Sequence, residues 1–302
     1  MLAVRALDHF ALWVPDAERG ADFYANFGLR STSDGNSVRL DAENGLAGAL
    51  YEGDSKRLHH LTFAIAAEDV HAFRTRLEDG GISLGDPPRD VDSDGIWFHD
   101  ADGNLVELAV LPCRAPQKKT ASGARVAAEA ERGAPEGPAR ATPRRLGHTL
   151  LFSPDPLRQV TFYERHLGLR LSDRSGEIVA FMHTPHGSDH HVLAFGKSER
   201  PGFHHASFEV SGIDEIGTGA MYMQEKGHRE GWGFGRHYIG SNYFYYIRDP
   251  WGSFAEYFWD IDFIPAGCAW EQRDVPAEHA LFVWGPPPPK YFFENVEAVA
   301  VR

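Results

Sequence analysis

The pattern of apolar and polar residues predicts short strands that alternate with amphipathic helices. Apolar residues alternate with polar ones over 9–14 and 148–152, as expected for strands with one buried face. A Pro-Asp pair follows each of these strands, and apolar residues then recur at helical spacing. Both helical stretches run up to a glycine, Gly28 or Gly168, where a helix C-cap is expected.

A second strand–helix–strand pattern follows in each part of the chain. Further elements are predicted as strands at 37–40, 61–65, 177–182 and 206–210 and as helices at 70–79 and 213–226. The last strands are predicted to end in Glu107 and Glu256. Each part therefore contains two βαβββ modules, which would curl into an incomplete barrel with alternate strand residues facing inward. The predicted fold class is α+β.

The two parts of the chain are near copies of each other. The matched segments, in chain order, are 7–30 with 146–170, 57–65 with 202–210, and 99–108 with 248–257. Three matches in the same order indicate a tandem duplication. The alignment pairs His9 with His148 and Tyr24 with Tyr163.

A polar stretch separates the two copies. Residues 114–145 contain no aromatic residue, and they carry eight Lys or Arg against three Glu. Such a segment buries too little apolar surface to offset the entropy of ordering, so we expect a flexible linker. A basic arm for an acidic partner is the alternative. The linker would divide the chain into domains at 1–113 and 146–260, followed by a tail at 261–302.

Length, charge and cysteine content exclude several classes of protein. A chain of 302 residues can form two domains with buried cores. Its net charge of −13 argues against nucleic-acid binding, and no apolar run reaches the roughly 20 residues of a membrane-spanning helix. Two cysteines exclude a disulfide framework. With no signal-peptide pattern at the start, we expect a cytoplasmic protein without nucleic-acid or membrane partners.

Several of the 16 histidines lie at matching positions on the predicted strands of the two copies. His148 lies on the first strand after the linker, His205 opens the strand of the next module, and Glu256 lies on the last strand. Three strands that line one concave sheet can direct three side chains at a single point. Two imidazoles and one carboxylate on one face form the ligand set of non-heme Fe(II) oxygenases. The same three residue types recur before the linker, at His9, His60 and Glu107.

Residues near the end of the second copy carry a family resemblance. Gly-Arg-His at 235–237 is followed by seven residues, then by Tyr-Tyr-Ile-Arg-Asp-Pro-Trp-Gly at 245–252, and then by Glu256. This arrangement resembles the signature of the type I extradiol ring-cleavage dioxygenases of the vicinal-oxygen-chelate superfamily. Tyr245 departs from the pattern, which prefers an aliphatic residue or phenylalanine there.

Two further segments support the resemblance. His-His-Val-Leu-Ala-Phe at 190–195 is similar to the segment that carries the family's catalytic histidine. Phe-His-His-Ala-Ser-Phe at 203–208 is similar to the segment that carries its second metal ligand. Because neighbouring residues on a strand point to opposite faces, we expect the second histidine of each pair to serve the site. His190 and His204 are then expected to point away.

The resemblance implies a role for each of six residues. Fe(II), or less often Mn(II), would be bound by His148, His205 and Glu256. His191 would be the acid/base, and His237 and Tyr246 would hydrogen-bond the substrate. The implied reaction opens a catechol ring beside the two hydroxyl-bearing carbons, and both atoms of O2 enter the product. The partners implied are a small aromatic diol, O2 and further copies of the chain in a homo-oligomer.

The first copy keeps the ligand types but not their surroundings. Trp97 stands where Tyr246 would be, and Leu46 lies 14 residues before His60, where the acid/base would be. The family usually has a non-catalytic first domain, so the same is expected here. A second metal site and a relic of the duplication both remain open.

Other functions of the same fold also remain open. Glyoxalase-type lyases, epimerases and hydroxyphenylpyruvate-type dioxygenases share the triad but lack the set of His191, His237 and Tyr246. A dioxygenase that acts on a hydroquinone ring is a further alternative. A drug-sequestering protein needs no metal triad, so its metal content would distinguish it. The tail resembles the family only loosely, and one interpretation is a lid over the active site.

Overall fold

Each copy of the repeat forms one mixed β-sheet. The computed structural model describes residues 1–35, 37–121, 123 and 127–299. Within these residues, a seven-stranded sheet belongs to the first half of the chain and a nine-stranded sheet to the second. The strand order of each sheet runs from one edge to another without closing, so each sheet is an incomplete barrel. The predicted α+β fold with duplicated halves is confirmed.

Besides a 3-10 helix at Ala67–Asp69, the first half supplies seven strands and two α-helices among the described residues. Its elements are β1 (Ala6–Val14), α1 (Ala17–Phe27), β2 (Arg30–Asp34), β3 (Ser37–Ala42), β4 (Gly45–Glu52), β5 (Arg57–Ile65), α2 (Val70–Asp79), β6 (Ile96–His99) and β7 (Leu105–Val110). The bounds of α2 agree with the predicted helix at 70–79.

Besides a 3-10 helix at Lys290–Phe293, the second half and the tail contain eleven strands and four α-helices among the described residues. These are β8 (Arg145–Ser153), α3 (Pro156–Leu167), β9 (Arg170–Ser175), β10 (Val179–His183), β11 (Ser188–Asp189), β12 (Leu193–Lys197), β13 (Gly202–Glu209), α4 (Ile213–Glu225), β14 (Gly231–Arg236), β15 (Tyr243–Arg248), β16 (Phe254–Trp259), β17 (Phe263–Ile264), β18 (Arg273–Asp274), α5 (Ala277–Ala280) and α6 (Val296–Val299). None of the helices in the described residues is long and apolar enough to cross a membrane.

The two sheets share one connectivity. β1 pairs in parallel with β4 and antiparallel with β5, and β8 pairs in the same way with β12 and β13. β5 then pairs in parallel with β7, as β13 does with β16. The duplication inferred from three matched segments therefore extends to the pairing of the strands.

Matching caps hold the first helix of each half. Asp16 and Asp155 each accept a hydrogen bond from the backbone N–H three residues further on, at 2.9 and 3.0 Å. At the other end of α3, Gly168 has a φ of +75°, and a Cβ there would lie 2.6 Å from the carbonyl oxygen of Leu2. Glycine is thus needed both for the left-handed backbone and for the close approach of the N-terminal segment.

One module of the first half departs from the predicted βαβββ pattern. After α2 it has two strands, β6 and β7, and a single bridge that joins Gly85 to Trp97. Pro87 and Pro88 follow the bridge, and neither can donate a backbone hydrogen bond. The ladder therefore does not extend along this segment.

Bulges in equivalent strands affect two pairs of consecutive histidines. Opposite β1, the ladder of β5 skips His59 just before His60, and opposite β8 the ladder of β13 skips His204 just before His205. An extra residue in one strand interrupts the alternation of faces. Both members of each pair can therefore contribute to the same region of the sheet.

The strands that carry the acidic residues are longer than predicted. Glu107 and Glu256 lie inside β7 and β16, which continue to Val110 and Trp259. Parallel pairing with β5 and β13 continues past both carboxylates and extends the strands.

The two halves share one hydrophobic core. Buried apolar residues of both sheets belong to a single contiguous cluster. Phe10 stacks on Phe203 with ring centroids 5.3 Å apart, and Phe27 stacks on Tyr257 at 4.0 Å. The described residues between the sheets form no helix or strand up to Arg144. The flexibility of 114–145 and the domain boundaries stay predictions.

Candidate metal centre

Three adjacent strands of the second sheet bring the predicted ligands together. His148 lies on β8, His205 on β13 and Glu256 on β16, and β13 pairs with both other strands. Nε2 of His148 lies 3.3 Å from Oε2 of Glu256, and Nε2 of His205 lies 3.6 Å from the same oxygen. We call these three residues the second-half triad.

The second-half triad is buried and contains an oxygen without a donor. His148, His205 and Glu256 are at most 3% exposed. Oε2 of Glu256 has no hydrogen-bond partner among the described residues. Burial would raise the pKa of Glu256, but the adjacent imidazoles of His148 and His237 outweigh it and hold the pKa well below its usual range. An ionised carboxylate between two imidazoles fits a divalent transition-metal ion.

A neighbouring histidine sets the protonation of His205. Nδ1 of His205 lies 2.6 Å from Nδ1 of His204, and Nε2 of His204 lies 2.6 Å from the carbonyl oxygen of Phe292. A carbonyl only accepts, so Nε2 of His204 carries a proton and its Nδ1 accepts from the Nδ1–H of His205. Burial lowers the pKa of His204 to about 4, so its ring is neutral at pH 7. His205 therefore keeps a lone pair at Nε2 for a metal ion.

His191 is oriented in the same way, by a neighbouring histidine whose other ring nitrogen has its own acceptor. Its Nδ1 lies 3.1 Å from Nδ1 of His190, whose Nε2 lies 2.9 Å from Oδ2 of Asp173. Asp173 accepts the Nε2 proton of His190, and His190 accepts the Nδ1 proton of His191. Burial lowers the pKa of His191 well below its usual value, so this imidazole is neutral. Its ring centroid lies 4.1 Å from that of His148, beside the second-half triad.

His237 and Tyr246 lie on another side of the second-half triad. Nδ1–H of His237 donates to the carbonyl oxygen of Leu281 at 2.6 Å, and its Nε2 lies 3.0 Å from the hydroxyl of Tyr246. The same Nε2 lies 3.7 Å from Oε1 of Glu256. Burial and the charge of Glu256 raise the pKa of Tyr246 well above its usual value, so its hydroxyl keeps its proton.

A largely apolar cavity of about 300 Å³ opens onto these side chains. It is lined by five of the six predicted site residues, His148, His191, His205, His237 and Tyr246. The rest of its wall includes Leu150, Phe152, Ile178, Val179, Phe181, Ile239, Leu281, Phe292 and Phe293. The tail therefore contributes directly to the cavity.

The sequence matches the model of the Glyoxalase/Bleomycin resistance protein/Dioxygenase superfamily over residues 6–108 and 145–257. The chain belongs to this superfamily. The two matched ranges correspond to the two sheets of the superfamily fold. Metapyrocatechase 2 of Cupriavidus necator is 45% identical to the chain over 299 residues, which cover 98% of the chain and 93% of that protein.

Solved structures of superfamily members share the fold. The Mn(II)-bound glyoxalase of Novosphingobium aromaticivorans has a TM-score of 0.78 at 24% identity, covering 96% of this chain and 94% of that one. An extradiol ring-cleaving dioxygenase of B. fuscum has a TM-score of 0.76 at 19% identity, covering 97% and 82%. At these identities the likeness concerns the architecture alone.

One expectation about this superfamily member is wrong. His204 was expected to point away from the site, yet it lines the cavity. The bulge in β13 is the reason, because it interrupts the alternation of faces at this residue. His190 does not line the cavity, and it lies behind His191, which it contacts through Nδ1. Sequence reasoning gave both first histidines the role of polar packing.

Three other contributors were not foreseen. Asn242 donates from Nδ2 to Oε1 of Glu256 at 3.3 Å. The backbone carbonyls of Leu281 and Phe292 orient His237 and His204. Asn242 stands between His237 and Tyr246 in the matched signature, and this position was a signal that could have found it. The two carbonyls had no such signal, because every residue has a backbone carbonyl whatever its type.

The first sheet holds His9, His60 and Glu107 at the equivalent positions of β1, β5 and β7. We call them the first-half triad, and their ligand atoms lie within 4.8 Å of one another. The Thr62 hydroxyl donates to Oε2 of Glu107 at 2.6 Å, and its oxygen lies 3.3 Å from Nε2 of His9. Trp97 lies opposite Glu107 in the ladder, as its counterpart in the second half lies opposite the second carboxylate.

Proposed function

We propose that this superfamily member is an extradiol dioxygenase that opens the ring of a catechol-type diol with O2. The observation that carries the proposal is the convergence of His191, His237 and Tyr246 on the second-half triad. The name of the Cupriavidus relative, which is that of a catechol dioxygenase, supports the same reaction. The roles of the individual residues are part of the proposal.

Fe(II) is the metal that we propose, and Mn(II) is the alternative. The second-half triad would hold it through two neutral imidazoles and one carboxylate, a set that leaves one face open. When bound, the metal supplies Lewis acidity toward the diol oxygens and the redox chemistry with O2. His204 supports the site because it fixes the tautomer of His205.

His191 is the acid/base in this proposal. Its Nδ1 proton is engaged by His190, so proton exchange takes place at Nε2. Its lowered pKa keeps the ring neutral, so Nε2 carries the lone pair that would accept the proton of a diol hydroxyl and later return it. Asp173 keeps this orientation by holding His190 from the far side.

Tyr246 acts as a hydrogen-bond donor toward the anionic oxygens of the reacting diol, and His237 would donate to them from Nε2 once that nitrogen is protonated. Tyr246 keeps its proton because its pKa is raised, and it can therefore donate. The Leu281 carbonyl fixes the ring of His237 so that Nε2 points to the site. Both groups are in place before a substrate enters, which lowers the cost of reorganisation.

The cavity wall favours an uncharged diol with an apolar substituent. Away from the histidines, the wall is largely aliphatic and aromatic, and the ammonium group of its lysine, Lys197, donates to the carbonyl oxygen of Pro154 at 2.6 Å. We further propose that residues 1–113 are non-catalytic and that the tail, 261–302, closes the cavity as a lid. Leu281, Phe292 and Phe293 of the tail already form part of the wall.

The test is anaerobic reconstitution of the full chain with Fe(II) or Mn(II), followed by addition of O2 and a panel of catechols. We expect a yellow ring-opened product and uptake of one O2 per ring. Alkyl-substituted catechols should react with a higher kcat/KM than carboxylated ones. Turnover of a hemithioacetal without O2 would instead identify a glyoxalase-type lyase and would overturn the proposal.

His191→Phe provides the residue-level test. This variant should keep its metal and bind catechol, but kcat should fall by about 10²–10⁴-fold because the proton acceptor is lost. His186→Phe is the matched control, since His186 contacts the backbone of Ala3 and does not line the cavity. Wild-type turnover by His191→Phe would contradict the assigned role.

A further inference from the structure

The first-half triad of His9, His60 and Glu107 has no part in the proposed reaction. We propose that it binds a second divalent transition-metal ion, which takes no part in ring cleavage. The proposal rests on the geometry of these residues and on their hydrogen bonds, and it holds whichever reaction the second half performs.

The two triads have nearly the same histidine geometry. The ring centroids of His9 and His60 lie 5.6 Å apart with their planes at 83°. Those of His148 and His205 lie 5.5 Å apart with their planes at 79°. In both sheets the carboxylate stands on the strand that runs parallel to the second histidine's strand. The first sheet therefore presents a ligand set of the same shape.

Hydrogen bonds leave His60 with a lone pair inside the triad. Nδ1 of His60 lies 2.8 Å from Nδ1 of His59, and Nε2 of His59 lies 3.4 Å from Oδ2 of Asp90. The carboxylate attracts the proton of neutral His59 to Nε2, so His59 accepts from the Nδ1–H of His60. Nε2 of His60 then carries no proton. This atom is buried, has no hydrogen-bond partner in the part of the chain that the structure describes, and belongs to a residue that is 1% exposed.

The proton count around His9 gives the same result. Its Nδ1–H donates to Oδ2 of Asp8 at 2.9 Å, so Nε2 is the unprotonated nitrogen of the neutral ring. The Thr62 hydroxyl has one proton, which it donates to Glu107. No proton is then left between Thr62 and Nε2 of His9, although the two atoms lie 3.3 Å apart. Both histidines thus direct lone pairs into the triad.

The third ligand is a buried carboxylate. Glu107 is 3% exposed, and the neutral hydroxyls of Thr62 and Ser93 donate to its two oxygens. Each oxygen keeps a further lone pair for an ion. The site is closely fitted to this carboxylate, since a Cβ on Gly95 would lie 2.5 Å from Oε1 of Glu107. Three electron-pair donors with no proton between them form a place for a cation.

The donor set and its surroundings indicate the kind of ion. Two imidazole nitrogens and one carboxylate suit Fe(II), Mn(II), Co(II) or Zn(II) better than Ca(II) or Mg(II), which prefer oxygen ligands. Trp97 is 1% exposed, and its ring centroid lies 5.1 Å from that of His60. This indole occupies the place that a tyrosine has in the second half. The first-half triad therefore has an indole beside it where the second-half triad has the phenol of Tyr246.

The test measures the metal content of the full chain after anaerobic incubation with Mn(II) and desalting. We expect two equivalents per chain for the wild type, one for His60→Ala, one for His205→Ala and none for the double variant. Ring cleavage is assayed separately after loading with Fe(II). It should be kept by His60→Ala and lost by His205→Ala.

Glu107→Gln tests the proposal independently of whether His60→Ala folds. It preserves the shape of the side chain and removes its charge, so it should hold one equivalent even if His60→Ala does not fold. The control is His99→Ala, since His99 is exposed on β6, and this variant should keep two equivalents. A single equivalent in the wild type, unchanged by His60→Ala and Glu107→Gln, would overturn the proposal. Two equivalents without ring cleavage would overturn only the proposed function.

Discussion

Three pairs of consecutive histidines share one hydrogen-bonding arrangement. In each pair the two Nδ1 atoms face each other, and an acceptor holds Nε2 of the first ring. The acceptors are the carboxylates of Asp90 and Asp173 and the carbonyl oxygen of Phe292. Each acceptor holds the proton of the first ring at Nε2. The Nδ1 of that ring then accepts from the second histidine, so the tautomer of the second ring is fixed as well. The second histidine then directs an unprotonated Nε2 toward a triad or the cavity.

The first residue-scale prediction concerns His204. His204→Ala removes the acceptor for the Nδ1 proton of His205. It should weaken metal binding by about 10–100-fold, which is the typical effect of removing a side chain that hydrogen-bonds a metal ligand. Competition with a fluorescent chelator measures the dissociation constant of the second-half site. His228→Ala is the control, since His228 packs on Phe23 away from the cavity. Unchanged metal affinity in His204→Ala would contradict the tautomer argument.

At this scale the sequence predicted residue types better than their partners. His148, His205 and Glu256 come together as the motif spacing suggested. His204 was missed because the rule of alternating faces does not anticipate a bulge. The carbonyls of Leu281 and Phe292 could not be predicted, since every residue has a carbonyl and only the fold selects which ones meet a histidine.

At the scale of elements, residues of the tail contribute both to the stability of the fold and to the arrangement of the candidate metal centre. Phe292 is 5% exposed and packs against the rings of His204, Trp232, Tyr246 and Phe254. Its own carbonyl holds His204. The neighbouring Phe293 is 58% exposed. Adjacent phenylalanines therefore differ sharply in what they stabilise.

The element-scale prediction compares these two phenylalanines. Phe292→Ala should lower the free energy of unfolding by about 3–5 kcal/mol, because it leaves a cavity in an aromatic cluster. Phe293→Ala should change it by no more than about 0.5 kcal/mol. Urea titration monitored by circular dichroism measures both values. Similar losses in the two variants would contradict the assigned packing.

Element prediction from sequence succeeded where local pattern dominates. The helix at 70–79 follows from its apolar spacing and ends where predicted. The missing strand before β6 has a local signal too, since Pro87 and Pro88 interrupt the ladder. The arrangement of the tail could not be inferred, because its short elements are placed by contacts with rings far away in sequence.

At the scale of the whole molecule, the duplication produces a pseudo-symmetric contact between halves. The hydroxyl of Tyr163 on α3 donates to Oδ2 of Asp100 at 3.2 Å, across the two halves. Its counterpart Tyr24 on α1 is buried, and burial together with the charge of Asp249 raises its pKa well above the usual value. Each helix therefore places a tyrosine near a buried aspartate that follows a strand of the other half.

This contact predicts that a change in the first half unfolds the second. Asp100→Ala leaves the Tyr163 hydroxyl and the Gln159 amide, which donates to Asp100 at 3.0 Å, without their acceptor. Two buried unpaired donors cost about 2–6 kcal/mol together. The urea midpoint of ring cleavage, which reports on the second half, should fall together with that of circular dichroism. Asp92→Ala, at an exposed position, should leave both midpoints unchanged.

Coincident transitions are expected because the two sheets share one core. If the halves instead unfolded separately, Asp100→Ala would lower the circular-dichroism signal in two steps and leave the midpoint of ring cleavage where it was. That outcome would mean that the shared aromatic stacking between halves, such as Phe27 on Tyr257, is too weak to couple them. A single shifted transition would mean that the first half supports activity through the stability of the shared fold.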